Sequence, residues 1–267
     1  MQATINGFAL HYAIDGLADD KAPWITLSHS LAADSAMWAP QLPALLSKFR
    51  ILRIDTRGHG GSAAPAGPYT LEQLAEDVLA LWDHLGVQCS HWLGLSLGGM
   101  IGQVLALKAP DRVQSLILAD TTGRGAPNAA AMWGDRATTA REKGMAALVE
   151  GTLSRWFTEP YHAAAPEVIA RFGETIRATT VAGYAGCCAA ISQIDTLDAL
   201  RSLQIPALIL VGAQDQATSP QMAQALHANL AGSRLCIIDH AAHIANVEQP
   251  AAFNEAMLEF LASMQKH

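Results

Sequence analysis

The chain has no run of the ~20 consecutive apolar residues that a membrane-spanning helix needs. Its longest nearly uncharged stretch, Trp92 to Leu107, is broken by four glycines, Ser96 and Gln103, so no membrane association is expected. Positive charge is scarce as well. Against 24 Asp and Glu there are 17 Lys and Arg, for a formal charge of -7, and no basic cluster exists to displace counterions from phosphates. That balance excludes a nucleic-acid partner and points to a small-molecule one, with oligomeric state left open. Cysteine is limited to Cys89, Cys187, Cys188 and Cys236. Their spacing is not that of a metal site, and the adjacent pair is poorly placed for an unstrained disulfide. All four are expected to be reduced and mostly buried. The opening residues, MQATINGFALHYAIDG, lack the basic start and apolar core of a signal peptide, which predicts a cytoplasmic location. Internal repeats and low-complexity linkers are absent too.

What is present is apolar and rhythmic. With 267 residues, 51% of them hydrophobic, the chain can bury the core of one domain. Short apolar runs recur as WITLSHS (24–30), RILRID (50–55), HWLGLS (91–96), SLILAD (115–120), ALILVG (207–212) and RLCIID (234–239). Each precedes a turn signal and then a helical pattern, which implies a parallel sheet covered on both faces. The segment ATINGFALHYAID differs: it alternates with period two around Asn6-Gly7, the mark of an antiparallel hairpin at the sheet edge. The expectation is an α/β fold with a mostly parallel, eight-stranded sheet.

Between the strands, TLEQLAEDVLALWDHLG (70–86) predicts a helix, with Thr70 as N-cap, Gln73 as its capping-box partner and Gly86 as terminator. From Thr121 to Asp195 the rhythm breaks into Ala-rich, strandless sequence. That block predicts a helical cap over 121–195, inserted into a core of 1–120 and 196–267. Its expected place is the carboxyl edge of the sheet, where open α/β sheets bind ligands.

Chemistry concentrates in HWLGLSLGGMIG (91–102), where a strand ends at Gly94-Leu95-Ser96-Leu97-Gly98 and a helix begins. A turn that tight has no room for side chains two residues before and after the serine. The glycines let Ser96 stand out with its hydroxyl exposed at a helix amino terminus. An alcohol nucleophile needs a base, and the base an orienting acid. Asp215 lies three residues past Gly212 in LILVGAQDQATSP, and His243 lies in IIDHAAHIANVEQP after the last strand. His240 beside Asp239 competes as base, and Asp120 at the end of SLILAD competes as acid. Oxyanion donors are backbone groups, expected at the N–H of Leu97 and at the N–H of Leu31 after WITLSHS. His29 reads as a buried residue bonded to that loop, and DTRGHGGS (55–62) as a glycine-shaped loop without chemistry.

These residues resemble the α/β-hydrolase superfamily over nearly the whole chain, through DTRGHGGS, GLSLGG, GAQD and AHIANVEQP. Ala242 departs from the commoner Gly-His pattern, and His29-Ser30 replaces the usual His-Gly. Within the superfamily, SHSLAADSAMW, GLSLGGMIGQ and AMWGDR are similar to the 3-oxoadipate enol-lactonases of aromatic-compound degradation, although AAD stands where those enzymes often carry a glycine.

The resemblance implies a small enol-lactone bearing a carboxylate as substrate, opened to 3-oxoadipate by a Ser96–His243–Asp215 acyl-enzyme route that calls for no metal or organic cofactor. A negative ligand meeting a chain of charge -7 needs a local cation, because fields beyond ~8 Å are screened. Trp133 and Arg136, three apart and so on one helical face, are the expected ring wall and carboxylate partner, with Trp38 a further wall. Other readings on the same fold are a general carboxylesterase or perhydrolase and a meta-cleavage carbon–carbon bond hydrolase. From a different class, a ligand-binding receptor that kept the hydrolase shell is a third.

Overall fold

The computed structural model describes residues 1–264. Eight strands form one sheet: β1 (Gln2–Ile5), β2 (Phe8–Gly16), β3 (Trp24–Ser28), β4 (Arg50–Ile54), β5 (Ser90–Leu95), β6 (Val113–Ala119), β7 (Ala207–Gly212) and β8 (Arg234–Ile238). Their spatial order is β1-β2-β4-β3-β5-β6-β7-β8. Only the β1/β2 and β2/β4 pairs are antiparallel. Asn6 and Gly7 turn the hairpin with φ of 48° and 83°, the left-handed pair that matches the twist of the flanking strands.

Every residue of β5 and β7 is buried. Because successive side chains point to opposite faces, both faces of the sheet must be covered, which is why these strands read as continuous apolar runs. Two residues that the apolar runs place at strand ends, Ser96 and Asp120, stand outside the sheet with φ of 55° and 44°. The chain turns away at both points.

The helices are α1 (Leu42–Leu45), α2 (Leu71–Leu85), α3 (Leu97–Lys108), α4 (Ala129–Lys143), α5 (Val149–Trp156), α6 (Glu159–Ala164), α7 (Pro166–Ala178), α8 (Val181–Ser192), α9 (Pro220–Asn229), α10 (Ala245–Glu248) and α11 (Pro250–Met264). In α2 the capping box forms in both directions between Thr70 and Gln73, and Gly86 ends the helix with φ of 70°. Helix α3 packs on β5, β6 and α2, while α9 and α11 pack on β7 and β8. None of the described helices is long and apolar enough to cross a membrane.

Helices α4 to α8 all lie between β6 and β7. The segments entering and leaving this block run side by side: Thr196 N donates to Gly123 O at 2.8 Å and Gly125 N to Ile194 O at 3.1 Å. Arg124 closes the neck with Asp195 at 2.7 Å and Asp198 at 2.6 Å. On the far side α8 rests on the loop DTRGHGGS. A Cβ on Gly58 would lie 2.2 Å from the Gly183 Cα, so this glycine pair lets the two backbones touch. All four cysteines are free, with Cys187 and Cys188 buried in α8. Burial pushes the Cys188 thiol up to about 12, which removes its nucleophilic form at neutral pH.

Candidate active site

Strand β3 sits between β4 and β5, so successive connections leave it in opposite directions. That reversal opens a crevice at the carboxyl ends of β3 and β5, the place where open α/β sheets take ligands. Ser96 follows β5 directly, at φ 55° and ψ -111°. A non-glycine residue held there costs on the order of 1–3 kcal/mol. The turn is pinned by Ser96 N to Ala119 O at 2.9 Å, Gly98 N to His29 O at 3.1 Å and the Thr121 hydroxyl to Ser96 O at 2.7 Å. A Cβ on Gly94 would lie 2.2 Å from Gly98 O, and one on Gly98 would lie 2.1 Å from Ser28 O. Gly98→Ala is therefore expected to destabilise the fold by about 1–3 kcal/mol or more. A urea midpoint unchanged from wild type would contradict this account of the turn.

His243 and Asp215 come together across 28 residues of sequence, His243 Nδ1 donating to Asp215 Oδ2 at 2.8 Å. Both are buried. Asp215 is fixed from its other side: Oδ1 accepts from the amides of Ala217 at 2.7 Å and Thr218 at 3.0 Å, and Oδ2 from the Thr218 hydroxyl at 2.8 Å. Burial alone would raise the Asp215 carboxyl, but His243 and the Thr218 donors outweigh it and hold it below the usual carboxylate range. With Nδ1 turned to Asp215, the opposite edge of the ring carries Nε2 toward the cavity that His243 and Ser96 both line.

The competing acid and base are placed elsewhere. Asp120 is fully buried, accepts from Gly212 N at 2.8 Å through Oδ1 and has no partner at Oδ2. Burial, then the charges of Asp215 and Glu248, push its carboxyl well above the ordinary range, and it lies outside the residues that line the cavity. His240 is an exposed turn residue at φ 57°.

The loop after β3 is set by His29. Its Nε2 accepts from Thr56 N at 2.9 Å, so its proton sits on Nδ1, which donates to Ser30 O at 2.7 Å. Ala33 N bonds the same carbonyl at 3.1 Å. Holding the Ser30 carbonyl turns the Leu31 N–H of the same peptide the opposite way. Leu31 lines the cavity, and neither its amide nor that of Leu97 meets a protein acceptor among the described residues.

The cavity measures about 230 Å³ and is roofed by Met132, Trp133 and Arg136 of α4, Thr152 and Arg155 of α5 and Tyr184 of α8. Arg136 stacks on Trp133, 4.6 Å from guanidinium carbon to ring centroid. Trp38 corrects the sequence reading. It is fully buried, packs against Phe253 at 6.5 Å and is not a cavity wall, because its short helical turn (Ser35–Trp38) faces the core.

Three residues escaped the sequence reading. Thr218 was visible only as the third residue after Asp215. Arg155 stands with Thr152 and Trp156 at helical spacing on α5, and all three line the cavity. Glu248 accepts from Ala242 N at 2.9 Å and from the Thr158 amide at 3.1 Å and hydroxyl, while Ile244 N donates to Trp156 O at 3.1 Å. Both neighbours of His243 are thereby bonded to elements that reach the cap, a link invisible in local sequence.

Residues 23–250 match the family described as the alpha/beta hydrolase fold. The chain is 37% identical over 254 residues to 3-oxoadipate enol-lactonase 2 of Acinetobacter baylyi, covering 95% of this chain and 93% of that one. It is 30% identical to a Stutzerimonas stutzeri protein carrying the provisional name carbamate hydrolase RutD, over 95% of this chain and 97% of the other. The crystal structure of the enol-lactonase from Burkholderia xenovorans LB400 superposes with a TM-score of 0.95 at 42% identity, over 98% of this chain and 100% of that one. With its strand order, elbow and sequence in agreement, the chain belongs to the alpha/beta hydrolase fold family and is a hydrolase related to the 3-oxoadipate enol-lactonases.

Proposed function

We propose that the protein hydrolyses a small, carboxylate-bearing enol-lactone, 3-oxoadipate enol-lactone, to 3-oxoadipate. The observation that carries this reading is the arrangement of one cavity. Ser96 and His243 line its floor, with Asp215 bonded to His243 from behind, and Trp133 and Arg136 stand in its roof. Relatives named as enol-lactonases supply the substrate class. The segment 121–195 serves as a cap on a core of 1–120 and 196–267.

His243, its tautomer set by Asp215, takes the proton of Ser96 as the oxygen attacks the lactone carbonyl. The amides of Leu31 and Leu97 receive the developing negative charge. When the tetrahedral intermediate collapses, the ring C–O bond breaks, the enol oxygen leaves, and the proton on His243 neutralises it. The enol then ketonises. Water, deprotonated by the same histidine, attacks the acyl-Ser96 ester and releases the second carboxylate of the product. Trp133 walls the ring, and Arg136 pairs with the carboxylate already present in the substrate.

Hydrolysis of neutral esters or carbamates is the second reading, favoured by the RutD likeness. Steady-state kinetics of the wild type separate the two. The enol-lactone is expected to exceed a neutral aryl ester in kcat/KM by about 100-fold or more, the discrimination that one well-formed charged contact and a fitted ring supply. Faster turnover of the neutral ester would favour the second reading.

A further inference from the structure

Arg155 has no place in the chemistry above, yet it shares the cavity with Arg136. The two guanidiniums come from different cap helices, Arg136 from α4 and Arg155 from α5. Each is only partly exposed, and neither forms a salt bridge within the described residues; the other arginines without one, Arg141, Arg171 and Arg234, are exposed, while Arg50, Arg53, Arg57, Arg112, Arg124, Arg177 and Arg201 are paired. None of the residues lining the cavity is an aspartate or glutamate. A chain of formal charge -7 thus lines one small enclosure with two unneutralised cations.

Such a pair is unfavourable by itself. Burial, and then the like charge of Arg136, lower the Arg155 guanidinium from its ordinary range. Two unpaired guanidiniums that share one cavity repel each other, and an anion held there would offset that cost. Inorganic ions suit such a site less well than a carboxylate on an apolar stem: Trp133, Met132 and Trp156 border the same space.

We propose that Arg155 and Arg136 form a two-arginine clamp for a carboxylate, with Arg155 as a specificity-determining residue. The clamp lies in the roof and the reacting carbonyl meets Ser96 at the floor, so the preferred ligand is a short molecule with a carboxylate at one end and an acyl group at the other. This rests on the hydrolase reading for the identity of the reacting end only. The clamp itself binds any short dicarboxylate, including the type of product that lactone opening releases, and product inhibition follows from it.

Two measurements on the full-length protein test this. Calorimetric titration with adipate, and with adipamide as neutral control, reads the clamp without catalysis. Wild type should bind adipate and not the diamide, and Arg155→Ala and Arg136→Ala should each weaken adipate about 10- to 100-fold, the range for a hydrogen bond to a charged group. Arg155→Lys should recover part of the loss, since the charge remains and the planar fork does not. In kinetics, Arg155→Ala should raise KM for the anionic lactone by a similar factor and leave a neutral aryl ester within about twofold. Because removing Arg155 relieves repulsion, its melting temperature should not fall. Adipate affinity unchanged in Arg155→Ala, or an equal loss on lactone and ester, overturns the clamp. Adipate binding that depends on both arginines in a protein that ignores the lactone upholds the clamp and overturns the lactonase reading, so the two fail separately.

Discussion

Replacing Ser96 by alanine is expected to lower kcat on the enol-lactone and on a neutral aryl ester alike by about 10⁴- to 10⁶-fold, leaving only what the oxyanion donors and binding supply. The equal loss on two unlike substrates is the informative part. Ser96 lies at the floor of the cavity with His243, away from the arginines of the roof, so its removal takes away the nucleophile and not the discrimination. The fold should tolerate the change. The turn is held by backbone bonds at Ser96 N and O and by Gly98 N, none of which uses the hydroxyl, and alanine must only accept the same φ of 55°. Initial rates at saturating substrate check the claim, with adipate affinity as control for an intact cavity. Residual activity within 100-fold of wild type would remove Ser96 from the nucleophile's role.

Asp215→Asn is expected to cost about 10⁴-fold in kcat with little change in KM. An amide at position 215 can donate to Nδ1, which places the ring proton on Nε2 and leaves no base facing Ser96. It also removes the charge that stabilises the imidazolium formed during attack. Asp120 does not rescue the variant. Complete burial pushes its carboxyl well above the ordinary range, and its one bonded oxygen is committed to Gly212 N at 2.8 Å. A pH–rate profile alongside kcat makes the test sharper. If Asp120 could substitute, Asp215→Asn would keep most of its activity, and Asp120→Asn on top of it would abolish the remainder.

Much of this site was legible because its parts are local. The elbow announces itself within five residues, since Gly94 and Gly98 are required by contacts of 2.2 and 2.1 Å that any Cβ would make. Asp215 and His243 each follow a buried apolar strand at short distance, and a strand end at the carboxyl edge of a parallel sheet is where side chains meet ligand. Asn6-Gly7 and the Thr70/Gln73 box are likewise complete in their own neighbourhoods.

The misses share a cause. Trp38 and Trp133 are both tryptophans beside small residues in Met-Trp pairs, and nothing in the flanking sequence tells which lies in the core and which in a wall. The direction of a short helical turn decides that, and Trp38 packs on Phe253, more than 200 positions away in sequence. Arg155 carries no signature in its local sequence. Only the fold brings it, on α5, into the cavity that Arg136 on α4 and Ser96 also line. The bonds of Glu248 to Thr158 and Ala242 join two segments 90 residues apart and leave no local trace.

By itself the sequence determined the fold class, the strand series, the serine at its elbow and the order in which Asp215 and His243 follow it. These depend on periodicity and on backbone conformations that particular residues permit. Tertiary structure decided which of two acids bonds His243, which tryptophan lines the cavity, and how many arginines border it. Those properties belong to the space between elements, where desolvation and the distance between charges, rather than neighbours along the chain, determine what a side chain does.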